Sequence, residues 1–164
     1  MSKRVLVAGC GNLLRCDDGF GVVVARRLRD EPLPPEVGVI EVGIGGIGLV
    51  QELLDGWQRL LVIDAVRRGG APGTLYLLDP SPPDLANLVA PSRPALLAET
   101  HQAEPSRALL LARALGVLPP EVLLLGCEPA ECEVLGLELT SAVARAVEVA
   151  MRWVRTLVFA PRWG

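Results

Sequence analysis

The chain has 164 residues, 51% hydrophobic and 21% charged, with a formal net charge of −3. That length and composition exclude a disordered chain and give one domain, residues 1–164, with a sizeable core. The mild acidity excludes the concentrated basic face of a nucleic-acid binder, and no run reaches the roughly 18 apolar residues of a membrane span.

Lys3 and Arg4 lead straight into a Gly-rich turn with no apolar signal segment between, so a soluble cytoplasmic protein is expected. Val5-Leu6-Val7-Ala8 is a short apolar run; a strand from Arg4 to Ala8 empties into Gly9-Cys10-Gly11-Asn12. A helix is predicted from Gly19 to Arg29, with Phe20, Val24 and Leu28 recurring on one face. Pro32, Pro34 and Pro35 end it. Val37 to Val42 reads as the second strand, followed by a glycine-rich crossover, Gly43 to Gly48. The next helix carries Leu49, Val50, Leu53, Leu54 and Trp57 as its apolar stripe. Arg59 to Ile63 is apolar enough to be a strand buried on both faces, and it ends in Asp64. Pro72-Gly73 turns into a strand from Thr74 to Leu78. Residues 79–99 are Pro-rich and irregular, with room for one helical turn at Asp84 to Val89, and deliver the chain to Thr100-His101. A helix from Pro105 to Gly116, a strand from Glu121 to Leu125 and a long helix from Thr140 complete the order. In that last helix Val143, Val147, Ala150, Met151, Val154 and Val158 share a face. Alternating strands and helices predict a three-layer αβα sandwich around a central, mostly parallel twisted sheet of about five strands.

The carboxyl ends of parallel strands share one rim, where residues distant in sequence converge. Three candidates fall there: Asp18 after the first strand, Asp64 ending the third, and His101, the single histidine. Two carboxylates and an imidazole suit a divalent metal with open positions, nickel, zinc, manganese or iron alike. Blander readings stand beside this one. Asp17 or Asp18 can cap the helix that starts near Gly19, and a lone loop histidine is by default a surface residue. Asp64 is harder to dismiss, because a charge at the end of a buried strand needs a partner, a helix terminus or a site.

Other chemistries fit less well. The third position of a Gly-x-Gly-x-x-Gly dinucleotide fingerprint is Leu14, and the Asp17-Asp18 pair repels a pyrophosphate. No serine occupies a nucleophile elbow, and Cys16 as a nucleophile is disfavoured by its neighbouring carboxylates. The cysteines at positions 10, 16, 127 and 132 lack zinc-site spacing, and Cys10 and Cys127 read as small buried residues.

The sequence Gly9-x-Gly11-Asn12-x-Leu14-x-x-Asp17-Asp18-Gly19-x-Gly21 resembles the opening motif of the hydrogenase maturation endopeptidases. The resemblance continues through Ile63-Asp64-Ala65, Pro72-Gly73-Thr74, Thr100-His101-Gln102 and Leu125-Gly126-x-x-Pro129, covering nearly the whole chain in order. It implies an αβα sandwich and an endopeptidase that cuts a short C-terminal extension from the large-subunit precursor of a nickel–iron hydrogenase, once nickel is inserted. It further implies that Asp18, Asp64 and His101 contact the metal, that the nickel arrives with the precursor, and that the enzyme is a monomer. Asp17 is left as a general base or a helix cap. A non-catalytic chaperone that binds metal or precursor on the same scaffold is the alternative. One departure stands out: the family often has Asp-Gly-Gly after the second strand, where this chain reads Glu41-Val42-Gly43-Ile44-Gly45-Gly46, and Glu41 either substitutes for that acid or only ends the strand.

Overall fold

The computed structural model describes residues 4–43, 46–80 and 104–163. In chain order the elements are β1 (Val5–Cys10), α1 (Phe20–Arg29), β2 (Val37–Val42), α2 (Ile47–Leu53), β3 (Arg59–Ala65), β4 (Leu75–Leu78), α3 (Glu104–Ala114), β5 (Glu121–Cys127) and α4 (Ser141–Phe159). A one-turn 3-10 helix, Cys16–Gly19, precedes α1. The strands form one sheet in the order β2-β1-β3-β5-β4. Four of them run parallel, and β4 lies antiparallel on β5 at the edge.

Two apolar clusters sandwich this sheet. On one face Phe20, Val24 and Leu28 of α1 and Val143, Val147, Ala150, Met151, Val154 and Val158 of α4 pack against Val5, Val7, Leu61, Ile63 and Leu125. On the other, Leu49, Val50 and Leu53 of α2 and Ala108, Leu109 and Ala112 of α3 cover Leu6, Ala8, Leu60 and Val62. Alternate residues of β1 and β3 therefore face opposite cores, which is why both strands are apolar without a break. Each fully buried Leu, Val or Phe contributes about 1.5–3 kcal/mol by leaving water. The helical stripes of α1 and α4 fall where the sequence periodicity puts them.

Several boundaries move. β1 runs on to Cys10, β3 to Ala65 and β5 to Cys127, because strand pairing continues in register past the apolar runs, through Cys10↔Val42 and Ala65↔Cys127. α2 stops at Leu53, so Leu54 is exposed and Trp57 lies beyond the helix, its Nε1 donating to the Glu52 carbonyl. The predicted turn at Asp84 to Val89, Thr100 and His101 lie outside the described residues, as do Ile44 and Gly45 in the crossover.

Helix α1 crosses the sheet at very short range. A Cβ on Gly21 would sit 2.0 Å from the Ile63 carbonyl oxygen and 2.5 Å from that of Cys10, so only glycine admits this approach. α1 follows β1 on one face and α2 follows β2 on the other, and β2 and β3 flank β1 on opposite sides. The chain thus reverses direction across the sheet between β1 and β3, and a crevice opens at their carboxyl ends.

Candidate functional site

That crevice is a cavity of about 520 Å³. Asp18 and Asp64 both line it, together with Asn12, Arg15, Arg67, Cys132 and Glu133. The loop that presents Asp18 is built by local bonds. Asn12 Oδ1 accepts the Leu14 N–H at 2.9 Å, and the Asn12 carbonyl accepts that of Arg15 at 3.1 Å. Asp18 Oδ2 in turn accepts the Asn12 N–H at 3.0 Å, folding the carboxylate back across the turn. Gly11, at φ +131°, makes the sharp entry; a Cβ there would lie 1.8 Å from the Asp18 carbonyl oxygen and 3.6 Å from Asp64 Oδ1. The same glycine thus brings the two acid-bearing segments close together.

Asp64 sits in β3 opposite Gly126 of β5, and its Oδ1 accepts the N–H of Ala65 at 2.9 Å. Burial raises the Asp18 pKa above the ordinary carboxylate value, and the Asn12 N–H, Arg15 and Arg67 pull it back. A carboxylate withdrawn from water in this way gains from an approaching cation. Cys132 is pushed up to about 12, chiefly by burial and then by Asp18, so its thiol stays protonated at neutral pH. Among the described residues no three His, Cys, Asp or Glu side chains gather closely enough to hold a metal ion.

The neighbouring acid behaves differently. Asp17 is completely buried and is not a cavity-lining residue. Its Oδ2 accepts the N–H groups of Ala130 (2.8 Å) and Glu131 (3.0 Å) and the Thr140 hydroxyl (2.9 Å), while Oδ1 accepts the Thr140 N–H (2.7 Å). In this geometry the Asp17 carboxylate holds a distant segment, accepting its bonds from residues 130, 131 and 140. Glu41 also points elsewhere, bonded to Arg26 (3.1 Å) and Arg29 (2.8 Å) on α1. Cys10 and Cys127 are buried, as expected of small core residues, and burial pushes the Cys127 thiol up to about 12.

Sequence reasoning missed the far wall of the cavity. Buried Glu128 accepts the Arg68 N–H (2.7 Å), the Gly69 N–H (3.3 Å) and the Tyr76 hydroxyl (2.9 Å), which shapes the loop that carries Arg67. The Arg68 N–H is the main cause of its lowered pKa. Arg67 reaches Glu133 at 3.5 Å. Pro129, already part of the family motif, was the available signal that this segment borders the site.

A mostly parallel α/β sheet with a cavity at the carboxyl ends of its strands, where the chain reverses direction, is the arrangement in which folds of this class place their ligand sites. The hydrogenase maturation protease (HycI) family model matches residues 22–156. The chain is 33% identical over 150 residues to the hydrogenase expression/formation protein HupD of Rhodobacter capsulatus, covering 91% of this chain and 68% of HupD. It is 32% identical to HoxM of Cupriavidus necator, covering 98% and 75%. Among solved structures it is similar to the hydrogenase maturating endopeptidase HybD from E. coli, with TM-score 0.76, 27% identity and coverage of 94% and 91%. It is also similar to the hydrogenase 2 maturation peptidase from Thaumarchaeota archaeon SCGC_AB-539-E09, with TM-score 0.68, 34% identity and coverage of 95% and 98%. The chain belongs to the hydrogenase maturation protease family.

Proposed function

We propose that this chain is an endopeptidase that removes a short C-terminal extension from the nickel-loaded precursor of a nickel–iron hydrogenase large subunit. Asp18, Asp64 and His101 contact the nickel, which the precursor carries in as part of the substrate. The observation that carries this reading is the meeting of Asp18 and Asp64, distant in sequence, in one cavity at the end of β1 and β3. Two carboxylates and an imidazole form a hard-to-borderline O,O,N set that suits nickel already partly held by thiolates. Desolvation of Asp18 favours a cation beside it.

Asp18, Asp64 and His101 would hold the precursor's metal, which would supply a template, a Lewis acid or an activated water, while this chain's residues fix the tail against it, turning a slow hydrolysis into a positioned attack by water. The protonated Cys132 thiol is a poor nucleophile, which supports water as the attacking group. Leu14, Val134, Leu135 and Leu137 are exposed on the two segments that also supply the cavity-lining Arg15 and Glu133, the kind of apolar surface a polypeptide substrate covers. Among the described residues no helix is long and apolar enough to cross a membrane.

His101→Ala tests the third contact. The variant is expected to keep the wild-type melting temperature and to lose precursor cleavage, read by mass spectrometry of the precursor's C-terminus. A fully active His101→Ala enzyme overturns the assignment of His101.

A further inference from the structure

The geometry points to Asp17 as a positioning residue: its buried carboxylate locks the turn that presents Asp18 to the 129–140 segment that forms the facing wall of the cavity. All four hydrogen bonds to this carboxylate come from residues 130, 131 and 140. That segment puts Pro129, Cys132 and Glu133 on the cavity. The main chain reinforces the same seam. Asp17 N–H donates to the Glu131 carbonyl (3.0 Å), Cys16 N–H to Gly136 (2.8 Å), and Gly136 N–H to Leu14 (2.9 Å). Cys16, at φ +47°, takes up a left-handed backbone at this contact.

Only an acceptor-only group fits here, because three N–H donors and one hydroxyl converge on two oxygens. An amide at position 17 keeps the bonds on the Oδ2 side but turns its NH2 against the Thr140 N–H. A buried charge held this way is a weak source of net stability, since desolvation offsets most of its attractions. What it does supply is a fixed register between two loops that share no strand pairing beyond a single bridge, Arg15↔Gly136. Asp18 follows on the same helical turn, so its carboxylate is oriented from one side by Asn12 and from the other by the Asp17 anchor.

The test uses the full chain as wild type, Asp17→Asn, Thr140→Val and Thr140→Ser, and its activity arm rests on the peptidase reading. Amide hydrogen exchange of the enzyme alone comes first. Asp17→Asn is expected to speed exchange in both 11–19 and 129–140 while β1, β3 and α4 keep their protection. Cleavage of nickel-loaded precursor comes second. Asp17→Asn is expected to lower kcat on the order of 10²-fold, the scale of an ångström-sized misplacement, with KM held within about twofold. Thr140→Val removes one bond and is expected to lower kcat about tenfold, and Thr140→Ser, which restores the hydroxyl, recovers that loss. A wild type that cleaves nothing overturns the peptidase reading alone, and the exchange pattern then decides the anchor. Protection of 11–19 unchanged in Asp17→Asn, kcat within twofold of wild type, or loss of protection throughout the fold each overturns the positioning role.

Discussion

The two ends of the sheet solve the same problem with opposite charges. At the amino end, Arg59 is almost fully buried and takes the carbonyls that close α4, donating from Nη1 to Ala160 (2.7 Å) and from Nη2 to Val158 (3.4 Å). It stacks 5.0 Å over Trp163, whose N–H donates to Glu121 and whose indole donates to Leu157. A cation at a helix carboxyl terminus is where the macrodipole favours one. At the carboxyl end the buried charges are acids, Asp17 and Glu128, and each gathers backbone N–H groups from a loop. The difference lies in what is left over. At the amino end the charged group is spent on closing the fold, whereas at the carboxyl end Asp18 and Asp64 still face a cavity. One end closes the fold, and the other shapes the cavity to which the proposed function assigns the chemistry.

Substitutions at the two ends should separate these roles. The largest effect is expected from Asp64→Asn, which keeps the side-chain shape. Cleavage of nickel-loaded precursor should fall by about 10³-fold or more, the scale of removing a group that acts directly on the reacting centre. Its melting temperature should match wild type. Equal loss of both would place Asp64 in the structural class. Next comes Arg59→Ala, which leaves the Val158 and Ala160 carbonyls without their donor and opens a hollow beneath Trp163. Denaturant titration should show a cost of about 2–3 kcal/mol. Below its melting temperature its kcat should be unchanged; a selective kcat loss would break the division between the ends.

The smallest effect sharpens the comparison on the outer surface. Glu31 takes two bonds from Arg155, one of them 2.8 Å from Nε, and the Arg155 contact holds the Glu31 carboxyl below its ordinary value of 4.5. A carboxylate with a lowered folded-state pKa stabilises above its unfolded pKa, and that contribution disappears as pH falls through the folded value. Glu31→Gln should therefore lower the melting temperature slightly at pH 7 and leave it unchanged in acid. A difference that persists at low pH would show that packing, and not charge, is what the pair provides.

The frame of the fold is legible because the apolar residues carry a clear period: Phe20, Val24 and Leu28, then Val143, Val147 and Val154, all lie on buried faces. Strand ends are less legible, since pairing through Asp64↔Gly126 depends on main-chain register and not on hydropathy. Asp18 and Asp64 were readable as candidates from their places at strand ends, and they do share one cavity. The separate destinies of Asp17 and Asp18 were not readable. Two adjacent identical side chains carry the same local signal, and which one turns inward is decided by amides more than a hundred residues away, at 130, 131 and 140. Glu41 was undecided for a similar reason, as its partners Arg26 and Arg29 lie on a helix that crosses β2 only in three dimensions. His101 lies outside the described residues, so its assignment rests on the motif alone.

The most direct measurement is a cleavage assay on the hydrogenase large-subunit precursor from the same source, nickel-loaded and nickel-free in parallel, with the C-terminus read by mass spectrometry. The account predicts loss of a short C-terminal peptide from the nickel-loaded form only, and retention of the full tail on the nickel-free form. Binding of the nickel-loaded precursor without cleavage would contradict it and identify the chain as a maturation chaperone. Cleavage of both forms alike would contradict the role given to the metal.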